Sequence, residues 1–495
     1  MTVNAPPLAE HGPRDGCHGA LRLTGRLEPW MLDWCGDPDR IAGAIERHGS
    51  PVNLIDPSPM ARNAADLEAA AADAGVRLGI FFARKANKAL SFVDEAVRLG
   101  LGVDVASERE LSQTLDRGLP AQRIVVTAAV KPRRLLELCA SVGPTVVLDN
   151  EDELTALASV AGRLDRPVPV ALRLAPDPIA GSAESRFGLP AGQLIDLVER
   201  GGPAGRESLL PIAGIHFHLD GYDPVARVAA LGQSFELIDR LRAAGHQPGF
   251  VDIGGGIPIS YVDDADEWDG FWREHRSALL GRRTSLTFDG HGLGLSTYAG
   301  ELVGAPHVYP FHQQPTRAAW LAQILGSSVR SHAGEPTVAQ AARDRGLELR
   351  CEPGRSLLDG CGMTAARVEF RKQRGDRTWL IGTAMNRTQC RSTSDDFLVD
   401  PLLLRPTGAA HGDRPTGPIE GFLVGAYCIE RELLTWRRLA FPRGVEVGDI
   451  VVFPNTAGYL MHILESASHQ IPLARNLVVG GPAAAVLDPI DTLDA

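Results

Sequence analysis

The sequence predicts a (β/α)8 barrel followed by an antiparallel β-domain. Eight short apolar runs recur between residues 77 and 353, parted by helical patterns. The runs are mostly continuous rather than alternating, as parallel strands covered on both faces require. Beyond residue 360 the pattern changes to half-exposed strands separated by Gly and Pro turns. Eight strands alternating with helices favour a closed barrel over an open doubly wound sheet.

In chain order, the Pro-rich residues 1–17 read as disordered, and residues 18–45 as a segment packing with the β-domain. The barrel is expected over residues 46–360. Its strands are "RLGIFFA" (77–83), "GVDVAS" (102–107), "RIVVTA" (123–128) and "TVVLDN" (145–150). They continue with "PVALRLA" (169–175), "IAGIHFHLD" (212–220), "GFVDIGGG" (249–256) and "LELRCEP" (347–353). Among the helices, "EDELTALASVAGRL" sets Leu154, Leu157, Ala161 and Leu164 on one face, with Asp149 and Asn150 in N-cap positions. Residues 257–346 are far too many for a plain connection, so an ordered insertion is expected at about 262–345. It carries Trp268, Trp272, Tyr298, Tyr309 and Trp320, and "RAAWLAQILGSSV" reads as a helix. The insertion is read as a lid or a subunit contact. Residues 361–495 form the β-domain, with strands in "AARVEFRKQ", "RTWLIGTAM", "GFLVGAYC", "LLTWRRLAF" and "GDIVVFP".

Composition narrows the function classes. The 495 residues are 44% hydrophobic and 22% charged, ordinary values for a soluble globular chain. A net charge of −11 argues against a nucleic-acid partner, and no apolar run approaches a membrane span. The start "MTVNAPPLAEHGPRDGCHG" lacks the apolar centre of a signal peptide. Seven scattered cysteines include no CxxC pair, so neither disulfides nor a metal site is expected, and a reduced cytoplasmic protein is.

In barrels of this kind chemistry gathers where strands end. Lys85, Asp104, Arg173, His218, Gly254 and Glu352 all fall at or near those ends. A strand-end lysine can form a Schiff base with an aldehyde, or can lie on the surface with its stem along apolar neighbours. Arg84 beside it can lower its pKa unless alternation points it away. "DIGGGIP" brings three glycines, Gly254, Gly255 and Gly256, to a strand end, where backbone N–H groups can cradle a phosphate or simply make a tight turn. In "CEPGRS", Arg355 suits a phosphate and Glu352 a protonated ring nitrogen, with a local ion pair as the alternative. His216 and His218, two apart, are expected on one face of a strand. They could bind a metal, but no carboxylate cluster is evident beside them. Stacking on an aromatic ring or a structural role is the better reading.

The motifs "FARKAN", "GVDVASERE", "LRLAP…SRFG", "GIHFHLDG", "FVDIGGG", "EPGRS", "YCIERE" and "TAGY" occur in this order. Together they resemble the fold-type III pyridoxal-phosphate decarboxylases, the group of diaminopimelate, ornithine and arginine decarboxylases. The likeness covers roughly residues 45–260 and 347–480. It implies an alanine racemase-like barrel and a homodimer with shared active sites. The implied cofactor is pyridoxal 5'-phosphate and the implied substrate a small amino acid or a derivative of one. Lys85 then matches the lysine that carries the cofactor, His218 the histidine stacked on its ring, and Glu352 the acid at the ring nitrogen. Gly254, Gly255, Gly256, Arg355 and Tyr459 match phosphate contacts, and Asp104 and Arg173 supporting positions. Cys428 matches a cysteine supplied across a dimer interface, and Glu432 a nearby acidic position.

Two departures bear on the substrate. Asp220 and Gly221 stand where the family has Gly-Ser, and "GTAMNRTQCRSTSDDF" replaces the family's substrate-gripping segment. Arg387, Arg391, Asp395 and Asp396 in that stretch are candidate substrate contacts or solvated loop charges. The expected reaction is loss of the α-carboxylate of an amino acid. The alternatives are a racemase or epimerase, using Lys85 with Cys428 or Tyr427 as opposed bases, and a non-catalytic carrier of the cofactor.

Overall fold

The computed structural model describes residues 12–179, 184–199, 209–330, 334–392, 396–407, 417–480 and 485–493. The chain divides into two compact units. One comprises Ser58–Ile259 and Gln314–Leu358; the other takes the residues up to Pro57, Ser260–Gln313 and the chain from Asp359 onward.

The Ser58–Ile259 unit is a closed parallel barrel of eight strands. They are Arg77–Ala83, Gly102–Val105, Ile124–Val126, Thr145–Leu148, Val170–Arg173, Ile212–His216, Phe250–Asp252 and Glu348–Cys351, and the eighth pairs with both the first and the seventh. Each lies inside a run expected to be a strand. The helix Glu151–Leu164 begins where its cap predicts, with the Asn150 side chain accepting from the Glu153 amide. Inside, Phe81, Val125, Val147, Ala171 and Phe250 form a buried apolar layer. The layer depends on missing side chains. A Cβ on Gly102 would lie 2.3 Å from the Phe81 ring, and one on Gly214 2.5 Å from the Phe250 ring.

The expected 262–345 insertion is not one element. Residues 314–358 belong to the barrel unit, where the helices Arg317–Gly326 and Val338–Asp344 precede the eighth strand. Arg317–Gly326 packs on Pro59–Asp73 and Pro224–Ala243, so it shields strands as any barrel helix does. Ser260–Gln313 belongs to the other unit. There Tyr261, Trp268, Tyr309 and Phe311 pack ring against ring, and Phe311 continues onto Phe397 and Phe453. A hairpin, Leu295–Tyr298 with Glu301–Gly304, carries an exposed Tyr298.

That second unit is built on a ten-stranded sheet. Most pairings are antiparallel, but Trp379–Thr383 runs parallel to Ile419–Val424, and Arg475–Val479 parallel to Val52–Ile55. Met31, Trp34, Ile41 and Ile45 pack with Val452, Leu402 and Leu477 in its core. Residues 12–17, expected to be disordered, include a 3-10 turn at Pro13–Asp15 and a buried Cys17. In "LLTWRRLAF" only Leu439–Phe441 is strand. The Trp436 amide bonds to the Asp396 carboxylate and so is lost to any ladder.

Candidate active site

At the upper end of the barrel, where the strands finish, the predicted polar residues meet. Lys85 sits in the 3-10 turn Arg84–Ala86 that ends the first strand, and its Nζ lies 3.0 Å from Oδ2 of Asp104. Asp104 is fully buried; burial and the nearby Glu352 raise its pKa, while Lys85 and the Thr127 hydroxyl that donates to Oδ1 act against the rise. Arg84 turns away from this site. It is buried and bonds to Gln113 and to the Glu110 carbonyl.

A second chain of contacts ends at Glu352. Lys131, buried, donates to Glu153 at 2.9 Å, and Glu153 accepts the Asp149 amide at 3.0 Å. Asp149 holds Arg173 at 2.9 Å, and Nε of Arg173 donates to Nδ1 of His216 at 3.2 Å. An arginine can only donate, so Nδ1 must accept, and the proton of a neutral His216 sits on Nε2. Burial, then Arg173, keeps that ring neutral by pulling its pKa well below the usual value. Nε2 lies 3.2 Å from Oε1 of Glu352, yet both atoms are buried without a completed hydrogen bond.

The carboxylate cluster that the sequence hid is here. His216, Asp252 and Glu352 place ligand atoms within 4.8 Å of one another. The proton on Nε2 makes His216 a poor metal ligand. Burial and Glu352 push the pKa of Asp252 well up. Glu352 is also raised by burial, but Lys85 and Arg173 pull it back toward the anion. An ionisable Glu352 with one buried oxygen unbonded fits a protonated ring nitrogen of pyridoxal phosphate. That fit is a property of this donor set.

His218 lies beyond its strand, which ends at His216. Its ring meets Phe187 edge-on at 6.2 Å. Burial first, then Lys85 and His216, lower its pKa to about 3, so it is neutral at pH 7 and can lie against a cationic ring without repulsion. Next to it, Gly254 and Gly256 have φ of +66° and +77°, values that side chains rarely adopt. A Cβ on Gly255 would lie 2.9 Å from the Glu352 carbonyl. The loop therefore exists only as glycine. Arg355 is half-buried in the turn after the eighth strand. A cavity of about 620 Å³ opens beside His218, walled by Asp177, Glu184, Arg186, Phe187 and Asp220.

The remaining candidates belong to the other unit. Cys428 is exposed, next to a Tyr427 that stacks on His469. Tyr459 holds φ +71°, a costly conformation for a bulky residue and one found at functional turns. Glu432 is buried, accepts the Arg387 amide at 2.7 Å and lies 3.4 Å from the Arg387 guanidinium. Arg391 is committed to the fold: it donates to the Leu433 carbonyl at 2.6 Å and lies 3.5 Å from the buried Asp396. Its expected substrate contact therefore gives way to a structural role, and Asp396, capping Trp436, follows it. Asp395 lies outside the described residues.

Comparison with known proteins bears on the family and the fold. A family model described as pyridoxal-dependent decarboxylase, pyridoxal binding domain, matches residues 62–283. The uncharacterized protein y4yA of Sinorhizobium fredii is 30% identical over 483 residues, 96% of this chain and 93% of that one. The diaminopimelate decarboxylase of Zymomonas mobilis is 30% identical over 199 residues, 38% of this chain and 47% of its own, so the chain matches about half of that relative's length. In fold, the crystal structure of diaminopimelate decarboxylase from Helicobacter pylori complexed with L-lysine superposes with a TM-score of 0.63 at 17% identity, covering 90% of this chain and 95% of that one. The chain belongs to the fold-type III pyridoxal-phosphate-dependent decarboxylases, enzymes that remove carboxylate from amino acids.

Proposed function

We propose that this chain removes the α-carboxylate of a small amino acid or an amino-acid derivative, with the cofactor held covalently at Lys85. The observation that carries the reading is the upper barrel end, where a half-buried Lys85 pairs with the buried Asp104, and an incompletely bonded Glu352 acts on Asp104 from close by. Pyridoxal phosphate, when bound, supplies an electron sink for the pair released as the bond from Cα to the carboxylate breaks. Glu352 would keep the ring nitrogen protonated, and Lys85 and Arg173 favour its anionic form against the burial that raises its pKa. Asp104 orients the Lys85 amine. His218, as a neutral imidazole, would lie against the ring, and Gly254, Gly255, Gly256 and Arg355 would hold the phosphate.

Cys428 returns a proton from Sγ to Cα. Its exposure, beside an exposed Ile429, suits a residue supplied to a second copy of the chain, in a homodimer with shared sites. Arg387 and Glu432 are the proposed contacts to the substrate side chain. The mixed charges of the His218 cavity suit a zwitterion. No helix among the described residues is long and apolar enough to cross a membrane. We place the enzyme in a reducing cytoplasm, which suits its seven free cysteines.

Borohydride reduction of the yellow purified protein, followed by peptide mapping, tests the attachment. The label should fall on the peptide containing Lys85 and vanish in Lys85→Ala; a label elsewhere rejects the assignment. Incubation with a panel of amino acids in heavy water tests the reaction. A decarboxylase releases CO2, whereas exchange of the α-hydrogen without CO2 would show a racemase.

A further inference from the structure

Arg227 is the largest charge in the barrel unit without an evident purpose. It lies in the first turns of the helix Pro224–Ala243 and is fully buried. No carboxylate lies within ion-pair distance of it among the described residues, and its Nε and Nη1 are buried without a hydrogen-bond partner. Its Nη2 carries all of its hydrogen bonds: to the carbonyls of Leu219 and Gly221 at 3.1 Å each, and of Gly255 at 3.2 Å. These oxygens come from two loops, one after the sixth strand and one after the seventh. The Trp320 indole holds the first of these loops from another side, through the Tyr222 carbonyl at 2.7 Å.

The peptide plane turns this clamp into a function. In a trans peptide the C=O and the following N–H point in opposite directions. Carbonyls of Leu219, Gly221 and Gly255 that face Arg227 therefore direct the amides of Asp220, Tyr222 and Gly256 away from it. Gly256 leaves room for the guanidinium, since a Cβ there would lie 2.5 Å from Nη2. Burial pulls the guanidinium pKa down to about 10, which still leaves it charged at neutral pH. Asp220 and Asp223 act against that fall from beyond ion-pair distance, and a buried cation that no carboxylate contacts directly is costly unless an anion arrives.

We propose that Arg227 is a positioning residue of the cofactor's phosphate site, clamping the two loops so that their amides face the phosphate and leaving its own charge for the phosphate to offset. This rests on the glycine loop being the phosphate cradle. Arg227 also clamps two loops together, so a purely structural role must be separated from the proposed one.

Apoprotein titrated with pyridoxal phosphate and, separately, with unphosphorylated pyridoxal makes that separation. Arg227→Met should weaken pyridoxal phosphate by about tenfold or more while changing pyridoxal by less than about twofold. Arg227→Lys keeps the buried charge but reaches fewer carbonyls, and should show a smaller loss with the same selectivity. It serves alone if the methionine variant does not fold. Equal weakening of both ligands, or of neither, overturns the proposal. Failure of the unaltered protein to bind pyridoxal phosphate would instead overturn the cofactor reading, and this inference with it.

Discussion

At the lower end of the barrel, where strands begin, Phe81 and Phe250 fill the interior and the Arg350 guanidinium lies 3.7 Å above the Phe250 ring. Arg350 is in turn paired with Glu348 at 2.9 Å. At the upper end of the same strands, Glu352, Asp252 and His216 each leave a buried polar atom without a partner. Arg350 lies in the eighth strand, and Glu352 follows directly after its end. Below, the charge is matched and the space is filled. Above, polar atoms are buried without partners, at a cost of about 1–3 kcal/mol each unless something completes them. One end is filled and paired, and the other is the end at which the cofactor is proposed to bind.

Exchanging the charge at the upper end should separate the two roles most sharply. Glu352→Gln keeps the shape but cannot hold a ring nitrogen protonated. Turnover should fall by about 10³-fold, comparable to losing an aligned electrostatic contact in other active sites. The apoprotein should melt at the same temperature or higher, because a buried carboxylate becomes a neutral amide. Parallel measurements of kcat and Tm check this; unchanged turnover with a lower Tm would make Glu352 a structural ion. Phe250→Ala is the converse. It should cost about 3–5 kcal/mol of stability, as large aromatic truncations do in cores, while kcat of the folded fraction stays within a few-fold. Denaturant midpoints and activity at low temperature decide it.

The contrast also explains what could be read in advance. The eight strands were legible because continuous apolar runs between helical patterns have few other meanings, and the upper site because Lys85, His218 and Glu352 fall at or near the ends of those runs. The supporting network was not legible. Asp149 reads as a helix-cap neighbour and Lys131 as a loop charge; only folding brings Lys131 to Glu153 and Asp149 to Arg173. Asp252 precedes the glycine loop, and a carboxylate at a strand end was its signal. Arg227 gave none, because an arginine in the first turns of a helix is ordinarily solvated. The 257–346 stretch was misread because length alone cannot say which unit a segment closes upon. Arg391 shows the same weakness: a charged loop and a buried ion pair look alike until Asp396 is placed beside it.

The last effect expected is confined to acid pH, and it tests whether the upper site is as dry as its burial suggests. His218 titrates near 3 in the folded chain against an ordinary value of 6.5. Between those values the unfolded chain holds the extra proton, so this residue makes stability rise as pH rises from about 3 to about 6.5. Asp104, Asp252 and Glu352 act in the opposite sense. Their folded pKa values are raised by burial, so the folded state holds the extra proton and stability falls as pH climbs from the ordinary carboxylate range toward the raised values. The net profile of the apoprotein mixes the two. Subtracting the profile of His218→Gln isolates the histidine, and the difference should slope upward through that acidic window and flatten above pH 6.5. A flat difference throughout would mean that water reaches His218 freely, leaving the upper end as well solvated as any surface groove.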